Sequence, residues 1–262
     1  MSETLNVKDL LSQAADRGSV AADSLGGLQD LGRAIQGAMG VSADDVPASE
    51  VFLLSFVIDD SSSLRFQSNA QHVRDGHNTV QEELRKSNKG EDILVHAHAI
   101  NVGRIYPFSP LKSAVKLTNQ NYDPSGSTPL FDGTLTVLGT VLAKEQEFAN
   151  QGVPVRTVTV IISDGANNAS RKTADDVRLV VEPMLKSENH IVALLGIDDG
   201  STDFRAVARE MGIRDEWVLT PASDGKSIRQ AFGVISRISQ SASQGAASFS
   251  KAAATGFGSG IT

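Results

Sequence analysis

Phe52-Leu53-Leu54-Ser55-Phe56-Val57-Ile58-Asp59-Asp60-Ser61-Ser62-Ser63 is the stretch whose reading decides the fold. Apart from Ser55, its first seven positions are apolar. A strand that is apolar on both faces belongs in a parallel sheet covered on each side by helices. The run then ends abruptly in a carboxylate and a cluster of hydroxyls. Those groups fall just beyond the carboxyl end of the strand, where open α/β sheets bind ligands. Asp59, Ser61 and Ser63 form the pattern D-x-S-x-S. It puts one carboxylate and two hydroxyls on one tight loop, and hard divalent cations take oxygen donors of this kind.

The same design recurs downstream. Val155 to Ile162 is a second apolar run rich in β-branched residues, and it too ends in a polar turn, Ser163-Asp164-Gly165-Ala166-Asn167-Asn168. Helix 172–187, strand 190–197, helix 202–211, strand 216–220 and helix 225–240 continue the alternation. Between the two apolar runs, Phe66, Ala70, Val73, His77, Val80 and Leu84 form a helical stripe. A lone histidine on such a stripe reads as a core residue. Gly90-Glu91 leads into strand 93–100, where His96 and His98 share one face. The pair could ligate a metal, but no third ligand stands nearby, and a half-exposed strand near the sheet edge is the plainer reading. Asn101-Val102-Gly103 reads as a tight turn into a short antiparallel strand, Arg104 to Phe108. Residues 109–127 are turn formers. Thr128-Pro129 then starts a long helix through Phe131, Leu135, Leu138, Val141, Leu142 and Phe148, with Thr128 at the N-cap and Pro129 at the first helical position. The expected fold class is α/β: a doubly wound, mostly parallel sheet with one antiparallel edge strand and helices on both faces.

Composition sets outer limits. The chain has 262 residues, 40% hydrophobic, which is long for one domain and short for two. A formal net charge of −7 argues against nucleic acid and anionic membranes as partners. With no cysteine there are no disulfides and no thiolate metal sites. Met1-Ser2-Glu3-Thr4-Leu5 has no basic region followed by an apolar core, and no apolar run approaches the ~18 residues of a membrane span. The expectation is a soluble, cytoplasmic protein. Residues 1–48 read as a partly helical arm and linker, with Leu25, Leu28, Leu31, Ile35 and Met39 at helical spacing but interrupted by glycines. Residues 49–240 read as the domain. Residues 241–262, rich in Ser, Ala and Gly around Phe249 and Phe257, read as a disordered tail.

Asp59, Ser61, Ser63, Thr128 and Asp164 all fall at strand-to-helix junctions. Together, the D-x-S-x-S loop, the Ser127-Thr128-Pro129-Leu130 segment and Ser163-Asp164-Gly165 resemble the metal-ion-dependent adhesion site of von Willebrand factor type A (VWA) domains. The resemblance spans residues 49–240 and is closest to intracellular bacterial members. It implies a Rossmann-like sheet and a bound divalent cation. Ser61 and Ser63 would coordinate directly, Thr128 directly or through water, and Asp59 and Asp164 through water. Mg²⁺ suits six oxygens with waters retained, and Mn²⁺ or Ca²⁺ could substitute. Neutral direct ligands leave charge on the cation, so an Asp or Glu of a protein partner is its natural occupant. The family's intracellular members act as adaptors, for example with MoxR-type AAA+ ATPases or in bacterial stress and defence assemblies. Two departures stand out: Ser62 where Gly is common, and Asp60 as an extra acid.

Taken singly, each ligand has a structural reading. Asp59 could end a strand, Thr128 could be only a cap, and Asp164-Gly165 could be only a turn. The competing function is a haloacid-dehalogenase-like, Mg²⁺-dependent phosphatase, which also carries an aspartate after its first strand. Its chemistry needs a second aspartate two residues on as general acid. That position is Ser61, and Asn168 stands where a late carboxylate belongs. No nucleophile elbow, P-loop, dinucleotide fingerprint or HExxH motif is present. The sequence therefore reads as a binding module and not an enzyme.

Overall fold

The computed structural model describes residues 6–86 and 92–257. Gly90-Glu91, read as leading into strand 93–100, and the last residues of the tail lie outside that range. Six strands form one sheet: β1 (Val51–Ile58), β2 (Ile93–Ala99), β3 (Gly103–Pro110), β4 (Val155–Ser163), β5 (His190–Gly196) and β6 (Val218–Leu219). Their order is β3-β2-β1-β4-β5-β6, and every pairing is parallel except β2 with the edge strand β3. Every residue of β1, β2, β4 and β5 is buried, which is why those segments lack a polar face. The strand order reverses direction at β1 and β4. Their adjacent carboxyl ends are the switch point where doubly wound sheets open a crevice.

Helices α4 (Asn69–Arg85) and α8 (Gly225–Ser243) pack together over one face of the sheet. Gly76 permits that approach, since a Cβ there would run into the Phe232 ring. His77 faces Phe56 on β1 at 4.8 Å between ring centroids and is fully buried. Its Nδ1 donates to Asn78 and its Nε2 accepts from the Tyr106 hydroxyl (2.7 Å), so it is a satisfied core residue. The expected stripe breaks at its first member. Phe66 lies on the preceding 3-10 segment Ser62–Ser68 and is 71% exposed. Gln67 and Ser68, both with positive φ, turn the chain before α4 begins.

Helix α5 (Leu130–Ala149) covers the opposite face, with α6 (Ala174–Lys186) beside it and α7 (Phe204–Glu210) against β5 and β6. Outside α5 lie the three helices of the N-terminal arm, α1 (Val7–Asp16), α2 (Ala22–Asp30) and α3 (Gly32–Ala38). The arm is thus an outer layer with its own buried residues, Leu10, Leu11, Leu28 and Ile35 among them. It explains why α5 is buried almost all round. A buried ion pair fastens the junction. Lys144 Nζ donates to Glu147 Oε2 (2.5 Å) and to the Val41 carbonyl (2.7 Å), and Glu147 Oε1 accepts the Ala43 amide (3.0 Å).

Two further expectations are corrected. His96 and His98 are not on a half-exposed strand: β3 closes the edge and leaves them 0% and 6% exposed. The tail is ordered as far as Phe257. After α8 the chain breaks at Gly245 (φ +136°) and continues as α9 (Ala246–Thr255). Phe249 packs under Arg156, and the Phe257 ring meets Trp217 at 5.1 Å. Alanine favours helix, and the two phenylalanines give that helix something to bury, which a reading from composition alone does not register.

Candidate metal centre

Asp59 follows the last residue of β1, and Asp164 follows the last residue of β4. Asp59 is fully buried, Ser61 3% exposed, Thr128 4% and Asp164 5%. Asp59 Oδ1 accepts the Ser61 amide (2.8 Å), and Oδ2 accepts the Ser163 hydroxyl (2.5 Å). Its carbonyl accepts the Tyr122 hydroxyl (2.6 Å). The loop is therefore fixed from three directions. Ser63 Oγ donates to Asp164 Oδ1 (2.7 Å), and Ser61 Oγ lies 2.9 Å from Ser63 Oγ. A hydroxyl has one proton, so with Ser63 donating to Asp164, Ser61 donates to Ser63. Four of the five expected residues thus form one hydrogen-bonded set spanning β1 and β4.

Thr128 lines the same cleft as Ser63 and Asp164, but no hydrogen bond among the described residues joins its hydroxyl to them. It is not the N-cap of α5. That position is Pro129, without a capping side chain. The first amides of α5 are satisfied from the loop after β4: Asn167 Oδ1 accepts Leu130 N (3.1 Å), and Ser170 Oγ accepts Phe131 N (3.0 Å). Asn168 holds Thr128 itself, accepting its amide at 2.8 Å and donating a backbone N–H to its carbonyl at 3.1 Å. Capping from a distance leaves the Thr128 hydroxyl free.

Asp60 does not belong to this set. Its carboxylate accepts Asn101 N (2.7 Å), Asn101 Nδ2 (3.0 Å) and Val102 N (3.0 Å), tying the β1 loop to the β2–β3 turn. The positioning groups Ser163, Tyr122, Asn167, Asn168 and Ser170 were not assigned from the sequence. Only their place in a polar turn or loop hinted at them.

Charge at the site is incompletely compensated. Burial pushes the Asp59 carboxyl up, against the lowering effect of its bonds from Ser163 and Ser61. Burial also raises Asp164, to about 6, with Asp59 and Asp199 adding to the rise. Among the described residues no Lys, Arg or His pairs with Asp59, Asp60 or Asp164. Buried acids without a countercharge, beside neutral hydroxyl oxygens, fit a hard divalent cation. The histidine pair fits less well. Both ring nitrogens of His96 lack a partner, yet among the described residues no group of three or more His, Asp or Glu gathers to hold a metal.

No sequence family and no curated protein matches the chain. Solved structures do match it in shape. Two crystal structures of the pilus adhesin SpaC from Lactobacillus rhamnosus GG superpose with TM-scores of 0.57 and 0.53, at 12% and 13% identity, over 73% of this chain. The matched region covers 31% and 30% of the adhesin, so the chain spans about a third of that protein's length. At this identity the likeness establishes the fold, and that fold is the doubly wound architecture expected of a VWA domain.

Proposed function

We propose that the chain is a divalent-cation-dependent protein-interaction module of the VWA type, in which Asp59, Ser61, Ser63, Thr128 and Asp164 hold the cation and a partner's Asp or Glu completes its coordination. The observation that carries this reading is the convergence, at the switch point of the sheet, of two buried and uncompensated carboxylates with three hydroxyls. Bound there, Mg²⁺ with part of its water shell supplies an open position for an anionic oxygen. Ser61 and Ser63 present neutral oxygens. Asp59 and Asp164 supply the countercharge, and Ser163 and Tyr122 hold the Asp59 loop in register.

The phosphatase reading finds less support. Asp59 is fully buried, and both its carboxylate oxygens are engaged by the chain's own donors. A nucleophile needs a free, accessible oxygen. The proposal is therefore a non-catalytic adaptor. Its setting would be cytoplasmic, in a bacterial stress or defence assembly or beside a MoxR-type ATPase. Among the described residues no helix is long and apolar enough to cross a membrane.

Thermal unfolding with and without Mg²⁺ tests the proposal. Mg²⁺ should raise Tm, and Asp164→Ala should remove that rise. An unchanged Tm in metal-stripped protein titrated with Mg²⁺ and Mn²⁺ would refute the metal site. Turnover of p-nitrophenyl phosphate lost in Asp59→Asn would restore the enzyme.

A further inference from the structure

We infer that the cleft beside the candidate metal recognises partner segments in which a basic side chain adjoins the acidic one, an inference that rests on the metal-bridged reading above. The cleft is about 980 Å³. Ser63, Thr128 and Asp164 share its lining with Asp198, Asp199 and Asp224. No lysine, arginine or histidine lines it among the described residues.

Asp199 and Asp224 are each held by several donors of the chain itself. Asp199 accepts the amides and hydroxyls of Ser201 and Thr202, which lowers its carboxyl to about 2. Asp224 caps α8 through Lys226 N, Ser227 N and the Ser227 hydroxyl, and its carboxyl is likewise lowered. A separate observation points to a missing donor. Asn69 lines the cleft and is 4% exposed; its Nδ2 donates to Ser223 (2.8 Å), while its Oδ1 has no partner. A buried amide oxygen without a donor is costly, and a ligand N–H or ammonium group would relieve it. At the rim, Phe66 stands 71% exposed.

With a cation on Ser63, Thr128 and Asp164, the cleft would set one positive centre beside the carboxylates of Asp198, Asp199 and Asp224. That pattern repels phosphate-rich ligands along the wall and matches a peptide carrying a carboxylate followed by Lys or Arg. The chain's own charge of −7 favours the same kind of partner.

The test uses fluorescent synthetic peptides sharing one neutral background and carrying Asp-Lys, Asp-Glu or Ala-Lys at the centre. Their anisotropy is measured on the full chain in Mg²⁺ and in EDTA at low salt, with metal loading followed separately by thermal shift. Asp-Lys should bind about tenfold tighter than Asp-Glu, as expected for a few exposed charge contacts. The preference should shrink as NaCl is raised. The double variant Asp199→Asn/Asp224→Asn keeps the turn and cap oxygens but removes charge. It should reduce the preference to about twofold. Equal binding of Asp-Lys and Asp-Glu, or a preference that survives the double variant, overturns this inference alone. Metal loading without binding of any acidic peptide overturns the metal-bridged reading, and this inference falls with it.

Discussion

Asp59 and Asp60 are neighbours, both buried, with carboxylates engaged in different tasks. Asp59 is bound within the site by Ser61 and Ser163, whereas Asp60 is spent on the β2–β3 turn. Asp60 is therefore architectural. Asp59→Asn is expected to abolish the Mg²⁺-induced rise in Tm. Asp60→Ala strands donors on Asn101 and Val102, so it should lower unfolding free energy by about 1.5–3 kcal/mol while the Mg²⁺ rise persists. Thermal and urea unfolding with and without Mg²⁺ separate the two. The buried histidines set a pH dependence. Burial lowers His77 and His98 from 6.5 to about 4, and lowers His96 well below its ordinary value. Below pH 6.5 the unfolded chain binds protons that these residues refuse when folded, so stability is full above that pH and is lost as pH falls. His77 and His98 should each cost up to about 1.4 kcal/mol per pH unit between 6.5 and 4, with His96 acting in the same sense. The raised carboxyls of Asp59 and Asp164 act in the opposite sense, that of Asp164 below about 6. Urea unfolding at pH 7, 6 and 5 should therefore show falling stability, and a flat profile would contradict the buried neutral state.

At the scale of elements, the start of α5 shows where sequence reading stops. Thr128-Pro129 looks the same locally whether threonine caps the helix or faces a cleft. The deciding residues, Asn167, Asn168 and Ser170, lie about forty positions on, and only the β1–β4 pairing brings them near. The strands and helices themselves were legible because burial on two faces and the 3.6-residue period leave marks in a short window. The candidate positions Asp59, Ser61, Ser63 and Asp164 stood out in the sequence because they follow the ends of apolar strands. Phe66 illustrates the converse: its spacing fits the α4 stripe, but two residues of positive φ separate it from the helix. Thr128→Val should change unfolding free energy by less than about 1 kcal/mol, since no bond of its hydroxyl is lost, yet weaken Mg²⁺ binding. Asn168→Ala removes no ligand, but should cost about 1 kcal/mol and also weaken Mg²⁺, because Thr128 loses its anchor. Mg²⁺ titrations read by Tm would reveal both.

Across the whole molecule, α5 lies between the sheet and the arm, locked by Lys144 and Glu147. Burial pulls the Lys144 ammonium pKa down, with Glu147 opposing. Lys144→Met leaves a buried carboxylate unpaired, and should cost about 3–5 kcal/mol by urea unfolding. The double variant Lys144→Met/Glu147→Leu should recover part of that loss. The arm's covering of α5 has a mechanical consequence. One flank of the crevice is a stator: α5, covered on both sides, cannot slide without breaking the bonds from Lys144 to the Val41 carbonyl and from the Ala43 amide to Glu147. The other flank ends differently: after α8 the chain breaks at Gly245, and α9 is tied down by Phe249 beneath Arg156, by Arg214 on the Ala253 carbonyl and, just beyond it, by Phe257 against Trp217. The amino-terminal layer is thus ballast on one flank of the crevice, weighing down the helix that Thr128 precedes.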